Sequence, residues 1–232
     1  TPAVPSRHLL IAIDGPAGAG KSAAARELAV RLRLPYLDTG AMYRAVALLA
    51  VRSGIGPHLD EPCRVAVVAI ASALRVSFCG DPRAQRVLLD GEDVTEELRT
   101  PAVSQMASVV SALPAVRREM VARQREIVAS SGGVVEGRDI GTVVFPDAPL
   151  KVFLTARPEV RAKRRFDELT KRGVPARWED VLAEQHERDR RDSTRSDSPL
   201  RPADSAFVVD TSAMSLAEVV TALLALVPWE PV

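Results

Sequence analysis

LLIAIDGPAGAGKSAA, Leu9 to Ala24, is the stretch on which the fold turns. Leu9 to Asp14 is an apolar run ending in Asp-Gly-Pro, the pattern of a buried strand meeting a turn. Gly15, Pro16, Ala17, Gly18, Ala19, Gly20, Lys21 and Ser22 fit G-x-x-x-x-G-K-[ST] and lead through Ala23 into a helical stretch, Lys21 to Arg33. Ala24, Leu28 and Leu32 share one face of that helix. Glycines let the backbone curl so that its N–H groups converge on phosphate oxygens. The helix N-terminus adds partial positive charge. In this setting Lys21 reaches the β- and γ-phosphates of a nucleoside triphosphate, and the Ser22 hydroxyl holds Mg²⁺. A glycine turn that matches by chance is the alternative; strand, loop and helix in this order argue against it.

A chain of 232 residues suits one sizeable domain, or a domain plus a small insert. The 47% hydrophobic content supplies a core, and a formal net charge of +1 gives no bulk attraction to nucleic acid or a membrane. That sum conceals a bias, because all but four of the 31 basic residues are arginine. Arginine grips phosphate with a planar fork of donors. A GC-rich coding bias would produce the same excess, so only the placement of individual arginines argues for function. Cys63 and Cys79 have no zinc or redox spacing. A disulfide between them would suit a secreted protein, and nothing else points that way. The opening TPAVPSRHLLIAID has one basic residue before a short apolar run that leads straight into the glycine loop, which reads as a strand rather than a signal peptide. No stretch approaches the ~18 apolar residues of a membrane span. A cytoplasmic location is expected.

Further along, Thr39 to Ser53 reads as a second helix and Cys63 to Leu74 as a third. Arg75 to Cys79 and Arg86 to Asp90 read as short strands, with Asp90-Gly91 as a turn. Pro101 to Leu113 and Pro114 to Ser130 read as helices with proline in the first turn. Gly133 to Glu136 and Leu150 to Thr155 read as apolar strands, and Ala206 to Asp210 as a last buried strand. Glu159 to Lys171, Trp178 to Asp192 and Ser215 to Val227 read as helices, the last opened by a capping box at Ser215 and Glu218. The tails, 1–7 and 228–232, are proline-rich and read as loose. Alternation of strands and helices predicts an α/β fold with a parallel sheet covered on both faces, and ligands beyond the carboxyl ends of its strands. Residues 58–98 interrupt the alternation and read as an inserted lobe within a core of 8–57 and 99–228.

What the bound triphosphate serves is decided elsewhere. A GTPase switch needs Asn-Lys-x-Asp, which this sequence lacks. A motor or transport ATPase needs more chain and a long apolar strand ending in an acid, for which Val134, Val135 and Glu136 are a poor substitute. A small-molecule kinase needs arginines for an anionic acceptor and an arginine-rich lid that excludes water. Arg44, Arg117 and Arg138 supply the first set. Arg138 lies in Glu-Gly-Arg-Asp at the end of a strand, where ligands bind. Arg161, Arg164, Arg165 and Glu168 fall on one helix face, as do Arg188, Asp192 and Arg195 if that helix persists. These supply a lid, residues 157–195. A solvated face laced with ion pairs is the plainer alternative. Phosphoryl transfer relies on positioning and charge stabilisation, so no nucleophile is expected. Asp38 or Asp139 reads as a holder of an arginine or a substrate donor rather than as a base.

GPAGAGKS, LDTGAMYR (Leu37 to Arg44), EGRDIGTVVFPDAPLKVFLTA (Glu136 to Ala156) and ERDRRDSTR (Glu187 to Arg195), in this order, resemble the bacterial cytidylate kinase family. The resemblance runs from about residue 9 to 227. It implies a P-loop nucleoside monophosphate kinase fold with a five-stranded parallel core and an enlarged monophosphate-binding insert. The implied reaction is transfer of phosphate from ATP to CMP or dCMP, with Mg²⁺. Carried over residue by residue, the resemblance places CMP against Thr39, Ser108, Arg117, Asp139, Arg188, Asp192 and Arg195, with Arg44 and Arg138 on phosphates. Ser108 rests on the resemblance alone, and Thr39 would equally serve as a helix cap. The loop ends Lys-Ser-Ala where some relatives carry Lys-Gly-Thr, and Ser22 keeps the hydroxyl. Kinases for UMP, AMP or shikimate, and a nucleotide-binding regulator without turnover, are the competing readings. A monomer is expected, since nothing demands assembly.

Overall fold

The computed structural model describes residues 9–228. Residues 1–7 and 229–232 of the tails read as loose lie outside them. In chain order the elements are β1 (Leu10–Asp14), α1 (Lys21–Leu32), β2 (Tyr36–Asp38), α2 (Thr39–Arg52), α3 (Glu61–Ala73), β3 (Val76–Cys79), β4 (Arg86–Leu89), β5 (Glu92–Asp93), α4 (Pro101–Val110), α5 (Pro114–Val128), β6 (Gly133–Glu136), β7 (Leu150–Thr155), α6 (Pro158–Lys171), α7 (Trp178–Thr194), β8 (Phe207–Asp210) and α8 (Leu216–Leu226). Prolines open α4, α5 and α6, where the missing N–H costs nothing. Contacts divide the chain into two compact units, one of the residues up to Tyr36 with those from Ser131 on, the other Leu37–Ser130. The second is wider than the 58–98 insert drawn from sequence and contains it.

The sheet has five strands in the order β2-β6-β1-β7-β8. β1 runs parallel to β6 and β7, and β7 to β8. In the first unit Ile11 and Ile13 of β1, Val134 of β6 and Leu150, Val152 and Leu154 of β7 form one core with α1 and α8. The alanine-rich α1 contributes Ala24, Ala25, Leu28 and Ala29 to this core, and α8 contributes Val219 and Leu223. Each such leucine, fully buried, contributes about 1.5–3 kcal/mol. A smaller core joins α6 to α7 around Leu169 and Val181, with Phe166 edge-on to Trp178 at 6.1 Å.

The sequence reading placed no strand at Tyr36–Asp38, where β2 stands; three residues are too few for alternation to register. β8 is not a buried strand: it closes the sheet's edge, and Phe207 and Val208 are 52% and 59% exposed.

In the second unit β3, β4 and β5 form an antiparallel sheet, with Asp90-Gly91 at the β4–β5 turn as the sequence indicated. Cys63 and Cys79 are free thiols. No helix among the described residues is long and apolar enough to cross a membrane.

The capping box is present at α8: Ser215 Oγ accepts from Glu218 N, and the Glu218 carboxylate accepts from Ser215 N at 2.8 Å. Ser215→Ala should lower stability by about 1 kcal/mol in a denaturant titration. An unchanged midpoint would mean that α8 is held by packing alone.

Candidate active site

The loop from Gly15 to Gly20 joins β1 to α1, and two of its glycines are required by geometry. At Gly15 a Cβ would lie 1.9 Å from the Leu154 carbonyl oxygen of β7. At Gly18, where φ is +76°, it would strike Arg161 of α6. A loop whose N–H groups turn inward must turn its carbonyls outward, and buried carbonyls need donors. Four side chains from distant elements supply them. Ala17 O accepts from Arg161 Nη1 at 3.2 Å and Gln185 Nε2 at 3.3 Å. Gly18 O accepts from Arg164 Nη1 at 3.3 Å. Ala19 O accepts from the Thr211 hydroxyl at 3.0 Å.

These donors are themselves held. Arg161 forms a two-pronged pair with Asp189 (2.9 and 2.7 Å) and donates from Nε to Ala156 O. Arg164 donates to the Thr211 carbonyl and hydroxyl. Arg161, Arg164, Arg165 and Glu168 therefore do not act as one face. The first two grip the loop from outside, while Arg165 pairs with Glu168 at 2.9 Å. Gln185, Asp189 and Thr211 were not singled out from sequence. The i,i+4 spacing of Gln185 and Asp189, on the helix that carries Asp192, was the available signal for two of them.

Inside the loop, Lys21 is buried and its Nζ donates to Pro16 O at 2.8 Å. Burial, then the cationic Arg138, pushes the ammonium well below the usual lysine range; Arg188 acts in the same direction, and Glu136 and Asp14 oppose it. Ser22 Oγ donates to Glu136 Oε2 at 3.0 Å, and the Tyr36 hydroxyl donates to Glu136 Oε1. Glu136, set aside in the sequence as a poor stand-in for an acid at a strand end, thus stands against the hydroxyl expected to hold metal. Asp14, at the end of β1, was also missed. Its two oxygens accept from Ile140 N (2.8 Å) and Gly141 N (2.7 Å), fixing a π-helical turn at Ile140–Val144 that the sequence did not suggest.

Arg138 follows β6, and its Nε donates to Asp192 Oδ2 of α7 at 3.0 Å. α7 ends at Thr194, so Arg195 reaches Asp192 from just beyond the helix, at 3.9 Å. Burial pushes the Asp192 carboxyl up, but Arg138, Arg188 and Arg195 outweigh it and hold the group below the usual carboxylate range. Asp139 is buried at the head of the π-helical turn. The first unit therefore brings together Lys21, Ser22, Arg138, Asp139, Arg188, Asp192 and Arg195.

The remaining candidates lie in the second unit. Asp38, not Thr39, caps α2: its Oδ1 accepts from Ala41 N at 3.0 Å, while Oδ2 accepts from Arg44 at 2.7 Å. Thr39 is the first helical residue, buried, because the strand before it leaves the capping position to Asp38. Arg117 of α5 is buried, with its guanidinium 5.7 Å from the Tyr43 ring centroid. Ser108 is half-buried on α4.

No group of three or more His, Cys, Asp or Glu suited to a metal occurs among the described residues. Mg²⁺ does not need one, since it is commonly bound through one or two protein oxygens together with waters and phosphates. The hydroxyl of Ser22 and the carboxylate of Glu136 are hard oxygen groups that fit it.

The family model for cytidylate kinase matches residues 11–228. A cytidylate kinase from Corynebacterium efficiens is 49% identical over 96% of this chain and 96% of its own. One from Pelotomaculum thermopropionicum is 51% identical over 93% and 94%, and one from Mycobacterium avium 50% over 96% of each.

Burial raises the Asp14 carboxyl from 3.8 to about 6, against the two backbone N–H groups that favour its anion. The fold thus favours the protonated acid. That contribution is full below about pH 3.8 and is lost as pH rises through about 6, a change of about 3 kcal/mol. Asp14→Asn removes the titration and leaves only the constant cost of an amide NH₂ facing an N–H donor. Between pH 4 and 7.5 the stability difference should move in the variant's favour by about 2.4 kcal/mol. A difference that does not change with pH would contradict the assignment.

Proposed function

Because the chain belongs to the cytidylate kinase family, we propose that it transfers the γ-phosphoryl group of ATP to CMP or dCMP, giving ADP and CDP or dCDP. The observation that carries this reading is the set of cations beside the phosphate loop. Arg138, Arg188 and Arg195 surround the buried Asp192, and Arg138 and Arg188 also act on Lys21. A triphosphate brings several negative charges to such a place, and a monophosphate acceptor brings more.

In this reading the N–H groups of Gly15 to Ala23 cradle the phosphates of ATP, and Lys21 leaves Pro16 O for a phosphoryl oxygen. Ser22, oriented by Glu136, would hold Mg²⁺, which would supply charge neutralisation at the transferring phosphates. Arg161 and Arg164 keep the loop in shape, and with Arg165 they form the base of the arginine-rich lid, α6 and α7. A phosphate oxygen of the acceptor forms the new bond to γ-phosphorus as the bond to the β–γ bridging oxygen breaks. The acceptor phosphate is ionised at pH 7, so no base is required. Arg44, Arg138 and Arg195 serve its charge. Arg117 donates to cytosine O2 and N3, Ser108 and Asp139 accept from its amino group, and Thr39 adds a contact to CMP. Asp192, oriented by Arg188, accepts from a sugar hydroxyl. The product is set by positioning and by exclusion of water rather than by covalent chemistry.

The test is a coupled ADP-release assay with ATP, Mg²⁺ and, separately, CMP, dCMP, UMP and AMP. Rapid release is expected with CMP and dCMP. Release only with UMP or AMP would refute the acceptor, and none with any of them would refute the kinase. Lys21→Ala should slow turnover about 100-fold or more while leaving the melting temperature within a few degrees of wild type. Near-normal turnover in that variant would remove Lys21 from the mechanism.

A further inference from the structure

The buried Glu136 carboxylate has two oxygens with different tasks. Oε2 accepts from Ser22 Oγ at 3.0 Å, and Oε1 accepts from the Tyr36 hydroxyl. A serine hydroxyl has one hydrogen and two lone pairs. Because Ser22 gives its hydrogen to Glu136, its lone pairs face elsewhere, as a group that ligates a cation requires. The direction of that hydrogen bond depends on where the carboxylate stands. Glu136 ends β6, a short strand, and its buried carboxylate is positioned by the groups bonded to its two oxygens. Tyr36 holds Oε1, and it is firmly mounted: it is 5% exposed, packed into the core with Leu34 and Val134, with the Arg26 guanidinium 5.6 Å from its ring centroid.

We propose that Tyr36 is a positioning residue for the metal: through Glu136 it sets the orientation of the Ser22 hydroxyl, and with it the part of nucleotide affinity that depends on Mg²⁺. This rests on the proposed kinase reading only in taking the loop to bind a nucleoside triphosphate; the identity of the acceptor does not enter. Groups that orient a metal-binding side chain, without touching the metal, influence affinity strongly.

Tyr36→Phe deletes one hydroxyl and keeps the ring in the core. The measurement is calorimetric binding of a non-hydrolysable ATP analogue, with Mg²⁺ and with EDTA, to wild type and variant. The ratio of the two affinities isolates the contribution of the metal. Wild type should bind more tightly with Mg²⁺, and Tyr36→Phe should reduce that ratio roughly tenfold while changing the metal-free affinity less than twofold. Equal loss with and without Mg²⁺ would reveal a merely structural role and overturn the proposal. So would an unchanged ratio.

A second comparison uses Glu136→Gln. If Tyr36 acts through Glu136, adding Tyr36→Phe to Glu136→Gln should lower the ratio no further than Glu136→Gln alone. Additive losses would overturn the proposal. A wild-type protein whose affinity for the analogue ignores Mg²⁺ would overturn it together with the metal reading of Ser22. Failure of CMP to be phosphorylated, with the Mg²⁺ ratios as expected, would sink the acceptor assignment and leave Tyr36's role standing.

Discussion

Backbone N–H groups can converge on a phosphate only if the carbonyls of the same peptides are satisfied on the other side. In this chain that constraint reaches far beyond the loop. Ala17, Gly18 and Ala19 turn their carbonyls toward Arg161 and Gln185, toward Arg164, and toward Thr211. The three groups of donors come from α6, α7 and the segment after β8. The end of the sheet, the two helices of the arginine-rich hairpin and the loop are therefore one hydrogen-bonded object. Movement of α6 or α7 would be felt directly at the loop backbone.

Charge is arranged by the same economy of partners. Lys21 is buried among cations and anions that pull its ammonium in opposite directions, and the cations with burial prevail. Asp192 faces the reverse balance, and three arginines prevail over burial. Arg138 belongs to both sets. A dianionic ligand arriving beside it would favour a charged Lys21 and compete with Asp192 for the guanidinium. Binding of phosphate and rearrangement around Asp192 are thereby coupled through one side chain.

The sequence was most informative where the information is local. The loop motif, the proline starts of α4 and α5, and the Ser215 capping box each lie within a few residues, and each was legible. The phosphate loop and the arginines around Asp192 could be nominated as residue types at telling positions. Their supports could not. Ser22 meets Glu136 across 114 residues, Asp14 meets Ile140 across 126, and Thr211 meets Ala19 across 192. No pattern within a single sequence links such pairs, because the sheet order β6-β1-β7 that brings them together is itself a consequence of the whole fold. β8 misled for a related reason: an apolar run reads alike at the centre and at the edge of a sheet. The start of α2 at Thr39 was legible, but its cap, Asp38, was not, because a three-residue strand ahead of it left no periodic signal.

The central claim is transfer rather than hydrolysis, and phosphorus NMR of the protein with ATP, Mg²⁺ and CMP addresses it most directly. The account predicts that the γ-phosphate resonance of ATP declines in step with the growth of ADP and CDP signals, with no accompanying inorganic phosphate. Inorganic phosphate accumulating in place of CDP would contradict it, because a site that lets water take the phosphoryl group is not the closed, acceptor-directed site argued from these residues.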